Sequence, residues 1–220
     1  MTRPTQSELT PTLAAQGIIA VLEIERTDDA VPVCRALLDG GIGAIELALR
    51  TAAAEPSVPL ICTGTPEMLI GIGTIIMPGQ AERVRELGAS FGLAPGFNPV
   101  IVAESAACGL PFVPGIATPS ELEGVLETGL RLFKFFPAEP SGGVNFLKSM
   151  NNPYNYLGMS YIPLGGITEE NLGAWANMAQ VAAIGGTWIA PRDLINAHNW
   201  QEITRRAKRA KRVWNAYRSQ

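Results

Sequence analysis

The 220-residue sequence has few of the residues that metal centres and disulfide frameworks require. It contains one histidine and three cysteines, and Cys34, Cys62 and Cys108 form no Cys-x-x-Cys pair. Catalytic zinc and iron sites draw on several closely spaced histidines or cysteines. We therefore expect no metal and no cofactor, a surface position for His198, and the reduced thiols of a cytoplasmic protein.

Long apolar runs and a strong net charge are also missing. The longest apolar stretch, residues 68–77, has about half the length of a membrane span. The first sixteen residues lack the basic and apolar regions of a signal peptide. With a net charge of -3 at pH 7, the composition predicts a cytoplasmic globular protein that does not enter a membrane.

The end of the chain is locally basic, with seven lysines and arginines between residues 205 and 218. Apolar positions recur there at helical spacing, at Ala207, Ala210, Trp214 and Tyr217. This pattern predicts an amphipathic helix with a solvated basic face. Because no nucleic-acid-binding motif accompanies it, we expect small-molecule partners and no nucleic acid.

The chain repeats one structural unit. Eight β-rich runs, separated by helix start and stop signals, begin near residues 17, 43, 68, 90, 111, 131, 160 and 180. Residues 118–121 (TPSE) form one such signal, a capping box with proline at the first helical position. The spacing predicts a single-domain α/β fold over residues 1–220, a (β/α)8 TIM barrel with an N-terminal helix and a basic C-terminal helix. An open doubly wound sheet is the alternative.

Two segments fit this repeat less well. Residues 51–67 contain three prolines and a glycine, so we expect no more than one or two helical turns there. Residues 149–156 have the composition of a turn-rich loop.

Lys134 lies in an apolar run, Leu132–Phe136, that is predicted to be a strand. Side chains alternate along a strand, so Lys134 shares a face with Leu132 and Phe136. An ammonium in such surroundings is costly to desolvate unless it is paired or loses its proton, and the neutral amine is a nucleophile. A structural lysine that meets a surface carboxylate is the alternative interpretation.

The second predicted strand presents Glu46 and Arg50 on the same face, which we expect to point into the barrel. Chemistry in such barrels belongs to the C-terminal ends of strands. A lysine, a carboxylate and an arginine there suit carbonyl chemistry: the amine condenses with a ketone, the carboxylate moves protons and the arginine grips a substrate carboxylate. A buried ion pair is the alternative.

Glycine pairs follow the seventh and eighth predicted strands, at Gly165-Gly166 and Gly185-Gly186, and Thr187 adds a hydroxyl. Backbone N–H groups of such pairs can approach an anion without hindrance, and barrels commonly bind phosphate after these strands. Each pair alone could simply turn the chain. Together they favour a phosphate site.

Six motifs resemble those of the bacterial 2-keto-3-deoxy-6-phosphogluconate (KDPG) aldolases, which include bifunctional 4-hydroxy-2-oxoglutarate (KHG) aldolases. The motifs are residues 46–51 (ELALRT), 71–74 (GIGT), 94–96 (APG), 113–118 (VPGIAT), 133–139 (FKFFPAE) followed by 142–144 (GGV), and 184–188 (IGGTW). The resemblance runs in order from about residue 17 to residue 191. It is most specific in the lysine strand.

The resemblance implies a cofactor-free class I aldolase of Entner–Doudoroff carbohydrate metabolism, usually a homotrimer. It implies cleavage of KDPG to pyruvate and glyceraldehyde 3-phosphate, and in bifunctional members also of KHG to pyruvate and glyoxylate. It implies that Lys134 forms the Schiff base and that Glu46 is the general acid and base. The residues that it implies bind substrate are Arg50 and Thr74 for the pyruvate carboxylate, Pro95 and Phe136 for the shape of the pocket, and Gly165, Gly166, Gly186 and Thr187 for the phosphate.

The chain departs from the family pattern at Thr187, where serine is common and a hydroxyl is kept, and more consequentially at Leu164. The relatives usually read Pro-Thr-Gly-Gly-Ile where this chain has residues 163–167 (PLGGI), so Leu164 replaces a hydroxyl with an apolar group. We expect Leu164 to face the substrate and to alter its selection.

Three classes of function remain open from the sequence. The first is the Schiff-base lyase. The second is a phosphate-binding barrel that acts on a sugar phosphate without covalent chemistry, and the third is a catalytically silent barrel.

Overall fold

A computed structural model describes residues 4–218, which form nine parallel β-strands and ten α-helices. The strands are β1 (Ile18–Leu22), β2 (Ala44–Ala48), β3 (Leu69–Gly73), β4 (Phe91–Leu93), β5 (Phe112–Val113), β6 (Gly115–Ile116), β7 (Leu132–Phe135), β8 (Ser160–Pro163) and β9 (Ile184–Gly186). The helices are α1 (Gln6–Gln16), α2 (Ala30–Asp39), α3 (Ala54–Gly64), α4 (Gln80–Leu87), α5 (Pro99–Ala107), α6 (Pro119–Glu127), α7 (Gly143–Asn151), α8 (Leu172–Ala176), α9 (Arg192–Asn196) and α10 (Trp200–Arg218). Two 3-10 helices cover Thr27–Asp29 and Asn152–Leu157.

The strands form two parallel sheets. One has the order β5-β4-β3-β2-β1-β9 and the other the order β6-β7-β8. An isolated parallel bridge between Tyr161 and Val181 connects β8 to the segment before β9. The predicted α/β class, with parallel strands in one domain, is confirmed. Residues 1–3 and 219–220 of the predicted domain lie outside the described residues.

The fifth predicted strand is divided into β5 and β6 by Pro114. Proline has no N–H group and therefore cannot donate to a neighbouring strand. Its carbonyl still accepts a hydrogen bond from the backbone N–H of Lys134, at 2.9 Å. The same short segment thus contacts β4 through Val113, whose carbonyl accepts from Ala94 at 3.2 Å, and β7 through Pro114.

Alternate residues of the strands build two separate cores. Phe133 and Phe135 belong to the outer core, between strands and helices, whereas Leu132 belongs to an inner core to which strands of both sheets contribute. Leu9 and Leu13 of α1 extend the inner core beyond the N-terminal end of β1. The predicted alternation of faces around Lys134 is confirmed.

The predicted shortness of the helix in residues 51–67 is wrong, because α3 has 11 residues. Pro56 lies in its first turn, where backbone N–H groups have no partner within the helix. Pro59 does remove one internal hydrogen bond, but Val58 and Ile61 on the same helix are fully buried. Burial of these side chains outweighs the loss.

The prediction of a turn-rich loop at residues 149–156 is wrong as well, because this segment consists of the end of α7 and most of the second 3-10 helix. Asn151 is buried and fixes this segment. Its side chain donates to Asn155 Oδ1 at 2.5 Å and accepts from the Tyr161 hydroxyl at 2.7 Å. These side-chain hydrogen bonds and the burial of Asn151 outweigh the local preference for turns.

The predicted capping box and C-terminal helix are confirmed. The Thr118 hydroxyl accepts from the Glu121 backbone N–H at 3.3 Å, and the Glu121 carboxylate accepts from the Thr118 backbone N–H at 2.9 Å. Helix α10 buries Ala207, Ala210 and Trp214, whereas Tyr217 is exposed. Its basic residues are divided: Arg205, Lys208 and Arg212 are exposed, and Arg206, Arg209 and Lys211 are half-buried. Within residues 4–218, no helix combines the length and the apolar character needed to cross a membrane.

Candidate active site

Lys134 and Glu46 form a buried pair between the two sheets. Lys134 is in β7 and Glu46 is in β2, and the Lys134 Nζ lies 2.8 Å from Glu46 Oε1. Only 5% of Lys134 and 2% of Glu46 are exposed. The paired carboxylate offsets the cost of desolvating the ammonium and also offers it a proton acceptor.

The second carboxylate oxygen of Glu46 differs from the first in its surroundings. Among the described residues, Glu46 Oε2 is buried without a hydrogen bond. Gly73 makes room for this carboxylate, since a Cβ at that position would lie 2.0 Å from Glu46 Oε1. A buried unsatisfied carboxylate oxygen is costly unless a ligand or water satisfies it, so this atom marks a place for a proton donor.

The pair opens into a cavity of about 200 Å³. A volume of this size suits a small metabolite. The predicted site residues that line it are Glu46, Arg50, Lys134, Phe136, Leu164, Gly165, Gly166, Gly186 and Thr187. The structure therefore brings nine of the eleven predicted residues together.

Phe136 and Leu164 form apolar walls of this cavity. The Lys134 Nζ lies 5.4 Å from the centre of the Phe136 ring, within the range of a cation–π contact. Leu164 is 4% exposed and packs over the backbone of Gly185. The expectation that Leu164 faces the pocket agrees with this position.

Arg50 lies at the rim, after the end of β2. Its side chain is 52% exposed, and its Nη1 donates to Glu23 Oε1 at 2.7 Å. Burial alone would raise the pKa of the Glu23 carboxyl, but hydrogen bonds from Arg50 and Arg192 outweigh it and hold that pKa below its ordinary value. Glu23 is therefore ionised at neutral pH.

Thr74 and Pro95 do not line the cavity within the described residues. Thr74 directly follows Gly73, which contacts Glu46, and it has a positive φ of 67°. Such a backbone is strained for a β-branched residue and is typical of functional positions. Pro95 is exposed and contacts Gly115.

The glycine pair after β8 is closely packed against the loop after β7. Gly165 and Gly166 have φ values of 95° and 81°, which favour glycine. A Cβ on Gly166 would lie 2.7 Å from the Cβ of Glu139. The two loops are joined by hydrogen bonds from Ala138 N to the Leu164 carbonyl at 2.7 Å and from Glu139 N to the Gly165 carbonyl at 2.9 Å.

Sequence reasoning missed three residues of this region. Val21 and Ile167 line the cavity, and Glu23 accepts a hydrogen bond from Arg50. Gly185, which belongs to the second predicted glycine pair, also lines the cavity. The alternation of β1 could have placed Val21 on the inner face, because Ile19 also belongs to the inner core. The polar Glu23 directly after the apolar β1 is a signal of the same kind as Arg50 after β2.

His198 is half-exposed in the turn before α10, as predicted, but it has a partner. Its Nε2 lies 2.9 Å from Oδ1 of the buried Asp29, and its ring stacks on Trp200. In the described part of the chain, no cluster of three histidine, cysteine or acidic side chains could hold a metal ion. A wider groove of about 580 Å³ between α2 and α10 lacks a lysine–carboxylate pair.

These features define the class of the protein: an α/β protein of parallel strands in which a buried amine and a carboxylate meet at a cavity, an arrangement suited to carbonyl chemistry. Residues 10–206 match the family described as "Aldolase: KDPG and KHG aldolase". The chain belongs to this family.

Similar proteins and solved structures support this family assignment. The "2-dehydro-3-deoxy-phosphogluconate aldolase" of Treponema pallidum (strain Nichols) is 38% identical over 85% of this chain and 88% of that protein. The "KHG/KDPG aldolase" of Escherichia coli (strain K12) is 35% identical over 90% of this chain and 92% of that protein. A KDPG aldolase structure from Legionella pneumophila, with pyruvate captured as a covalent carbinolamine, is 36% identical, covers 90% of this chain and 96% of that chain, and has a TM-score of 0.86.

Proposed function

We propose that the protein is a class I aldolase that cleaves KDPG to pyruvate and glyceraldehyde 3-phosphate, and also KHG to pyruvate and glyoxylate. The observation that carries this proposal is the buried Lys134–Glu46 pair beside the cavity, in which Glu46 Oε2 has no hydrogen-bond partner among the described residues. The dual name of the Escherichia coli relative and the carbinolamine of the Legionella pneumophila enzyme support the substrate class.

In the proposed mechanism, Lys134 passes a proton to Glu46 and attacks the C2 carbonyl of the keto acid. Glu46 returns this proton to the hydroxyl of the resulting carbinolamine, which leaves as water, so that an iminium ion forms and Glu46 is a carboxylate again. Glu46 as carboxylate then removes the proton of the C4 hydroxyl, the C3–C4 bond breaks, and its electron pair forms an enamine. The aldehyde leaves, C3 of the enamine regains a proton, and water releases pyruvate from Lys134.

The remaining site residues bind the substrate in this proposal. Arg50 and Thr74 hold the pyruvate carboxylate, while Pro95 and Phe136 shape the pocket. The backbone N–H groups of the two glycine-containing loops receive the phosphate. The residues in these loops are Gly165, Gly166, Gly186 and Thr187. Leu164 lies between the two ends of the substrate and selects its polar chain.

We also propose that the strands close into a (β/α)8 barrel over a single domain of residues 1–220. Three contacts support closure. The last strand, β9, pairs with β1, the Tyr161–Val181 bridge joins β8 to the segment before β9, and the residues around Pro114 contact both β4 and β7. The eight predicted β-segments then have a neighbour on each side.

The resemblance to the family leads us to propose a cytoplasmic homotrimer that uses no cofactor or metal and binds no nucleic acid. Light scattering should give a mass about three times that of the 23.4 kDa chain. Incubation with EDTA should leave the activity unchanged. A loss that a divalent ion restores would indicate a metal-dependent lyase instead.

Borohydride trapping tests the covalent step directly. Pyruvate plus borohydride should add one reduced pyruvyl group, and peptide mass mapping should place it on Lys134. Lys134→Arg keeps the charge but has no nucleophile at neutral pH, so it should abolish both the adduct and turnover. Active protein without an adduct would favour noncovalent action on a sugar phosphate, and inactive protein without one would favour a silent barrel.

A further inference from the structure

Glu23 connects Arg50, at the rim of the cavity, to Arg192. It directly follows β1, and its Oε1 accepts from Nη1 of Arg50 at 2.7 Å. Its Oε2 accepts from Nη2 of Arg192, which belongs to α9. Both oxygens of one carboxylate are therefore occupied by cations from different parts of the chain.

The contact restricts how Arg50 can bind a second carboxylate. A guanidinium offers two edges for a bidentate contact: the two Nη atoms together, or Nε with Nη2. Glu23 occupies Nη1. Among residues 4–218, Nε and Nη2 of Arg50 have no other hydrogen-bond partner. The Nε–Nη2 edge is the one left for a ligand.

We propose that Glu23 is a positioning residue for the substrate carboxylate: it fixes the Arg50 guanidinium at the rim and leaves the Nε–Nη2 edge for the keto acid. This inference rests on the proposed function. Glu23 touches Arg50 and lies outside the residues that line the cavity, so its effect passes through Arg50. It therefore governs keto-acid binding more than the bond-breaking step.

The neighbouring Glu25 provides a matched control. It belongs to the same loop, forms an ion pair with Arg192 at 3.2 Å, accepts a hydrogen bond from Asn196 at 2.8 Å, and makes no hydrogen bond to Arg50 among the described residues. Replacing either glutamate by glutamine removes one negative charge from the same rim. Only the replacement of Glu23 releases Arg50.

The experiment measures how borohydride trapping of pyruvate depends on pyruvate concentration. Glu23→Gln should raise the half-saturating concentration about two- to fivefold, as expected for a half-exposed ion pair, with the maximal trapping rate nearly unchanged. Glu23→Asp keeps the charge but is one methylene too short, so it should raise this concentration as well. Glu25→Gln should leave it unchanged, and thermal unfolding should show that all three variants are folded.

Several outcomes would overturn the inference. Equal effects of Glu23→Gln and Glu25→Gln would indicate a general charge effect, and so would wild-type behaviour of Glu23→Asp. A lower half-saturating concentration in Glu23→Gln would mean that Glu23 repels the keto acid. If the wild-type protein forms no adduct on Lys134, the proposed function itself fails. If the adduct forms but the half-saturating pyruvate concentration of the Glu23 variants equals that of wild type, only the proposed role of Glu23 is refuted.

Discussion

Glu46 and Arg50 line the same cavity but offer a substrate different chemistry. Glu46 is buried beside Lys134, whereas Arg50 is half-exposed at the rim. We predict that Glu46→Gln lowers kcat by about 10²- to 10⁴-fold, the usual contribution of a general acid or base, with little change in KM. Steady-state cleavage kinetics measure both constants.

Arg50→Lys should affect KM more than kcat, the opposite of Glu46→Gln. It should chiefly raise KM for pyruvate in the condensation direction, because an ammonium cannot reproduce a bidentate grip. Initial rates at varied pyruvate concentration and fixed aldehyde give the two constants. If Arg50→Lys lowers kcat and Glu46→Gln raises KM, the proposed roles are wrong.

Leu164 is the residue most suited to a test of specificity. It lines the cavity, and it offers no hydrogen bond to a substrate hydroxyl. An unpaired hydroxyl costs about 1–3 kcal/mol, which corresponds to roughly tenfold to a hundredfold in specificity. We predict that Leu164→Thr raises the ratio of kcat/KM for KDPG to kcat/KM for KHG. An unchanged ratio in the same buffer would show that the glycine amides already determine specificity.

Helix α3 shows how packing can sustain a helix that its own sequence disfavours. Pro59 is exposed in its middle and leaves the Glu55 carbonyl without its usual helical partner. We predict that Pro59→Ala raises the free energy of unfolding by about 1–2 kcal/mol, since a restored hydrogen bond outweighs the greater freedom of the unfolded chain. Urea unfolding measures this change.

Pro56→Ala is the matched control within the same helix. Pro56 is also exposed, but it lies in the first turn, where an N–H group gains no helical partner. It should therefore produce no gain in stability. Equal gains from both replacements would mean that the helical hydrogen bond at residue 59 is not the cause.

The sequence predicts structural features that depend on neighbouring residues better than features that depend on contacts between distant parts of the chain. The capping box at Thr118 and the alternation around Lys134 depend on neighbouring residues, so the sequence predicts them. The length of α3 depends on burial of Val58 and Ile61 against other elements. The Glu23–Arg50 pair joins residues 27 positions apart, so their separate positions after two strands gave no sign of their contact.

The pH dependence of stability follows from groups buried across the whole molecule. Burial raises the pKa of the Cys34 thiol to about 12, with a smaller opposing effect from Thr65, and burial also raises the pKa of Tyr161. The folded protein keeps these protons at a pH at which the unfolded chain has lost them. Stability should therefore fall as pH rises above the ordinary thiol pKa of 9.0.

For Cys34 the expected slope is about 1.4 kcal/mol per pH unit between the unfolded and folded pKa values. Urea unfolding at pH 8, 9, 10 and 11 measures it, and Cys34→Ala should give a shallower slope than wild type. Parallel slopes in the two proteins would show that Cys34 does not titrate differently in the folded and unfolded states.

Strand β1 pairs with two strands that lie far apart in the sequence and are therefore synthesised at very different times. Strand β1 pairs with β2 on one side and with β9 on the other, and the carbonyl of Gln16, just before β1, accepts from Lys211 Nζ at 2.7 Å in α10. On the ribosome, the second edge of β1 stays open until residues 184–186 have emerged. The hydrogen bond at the Gln16 carbonyl forms only after residue 211 has emerged. Open apolar strand edges attract other chains. The growing polypeptide is thus exposed to mispairing at β1 until β9 has emerged and paired with it.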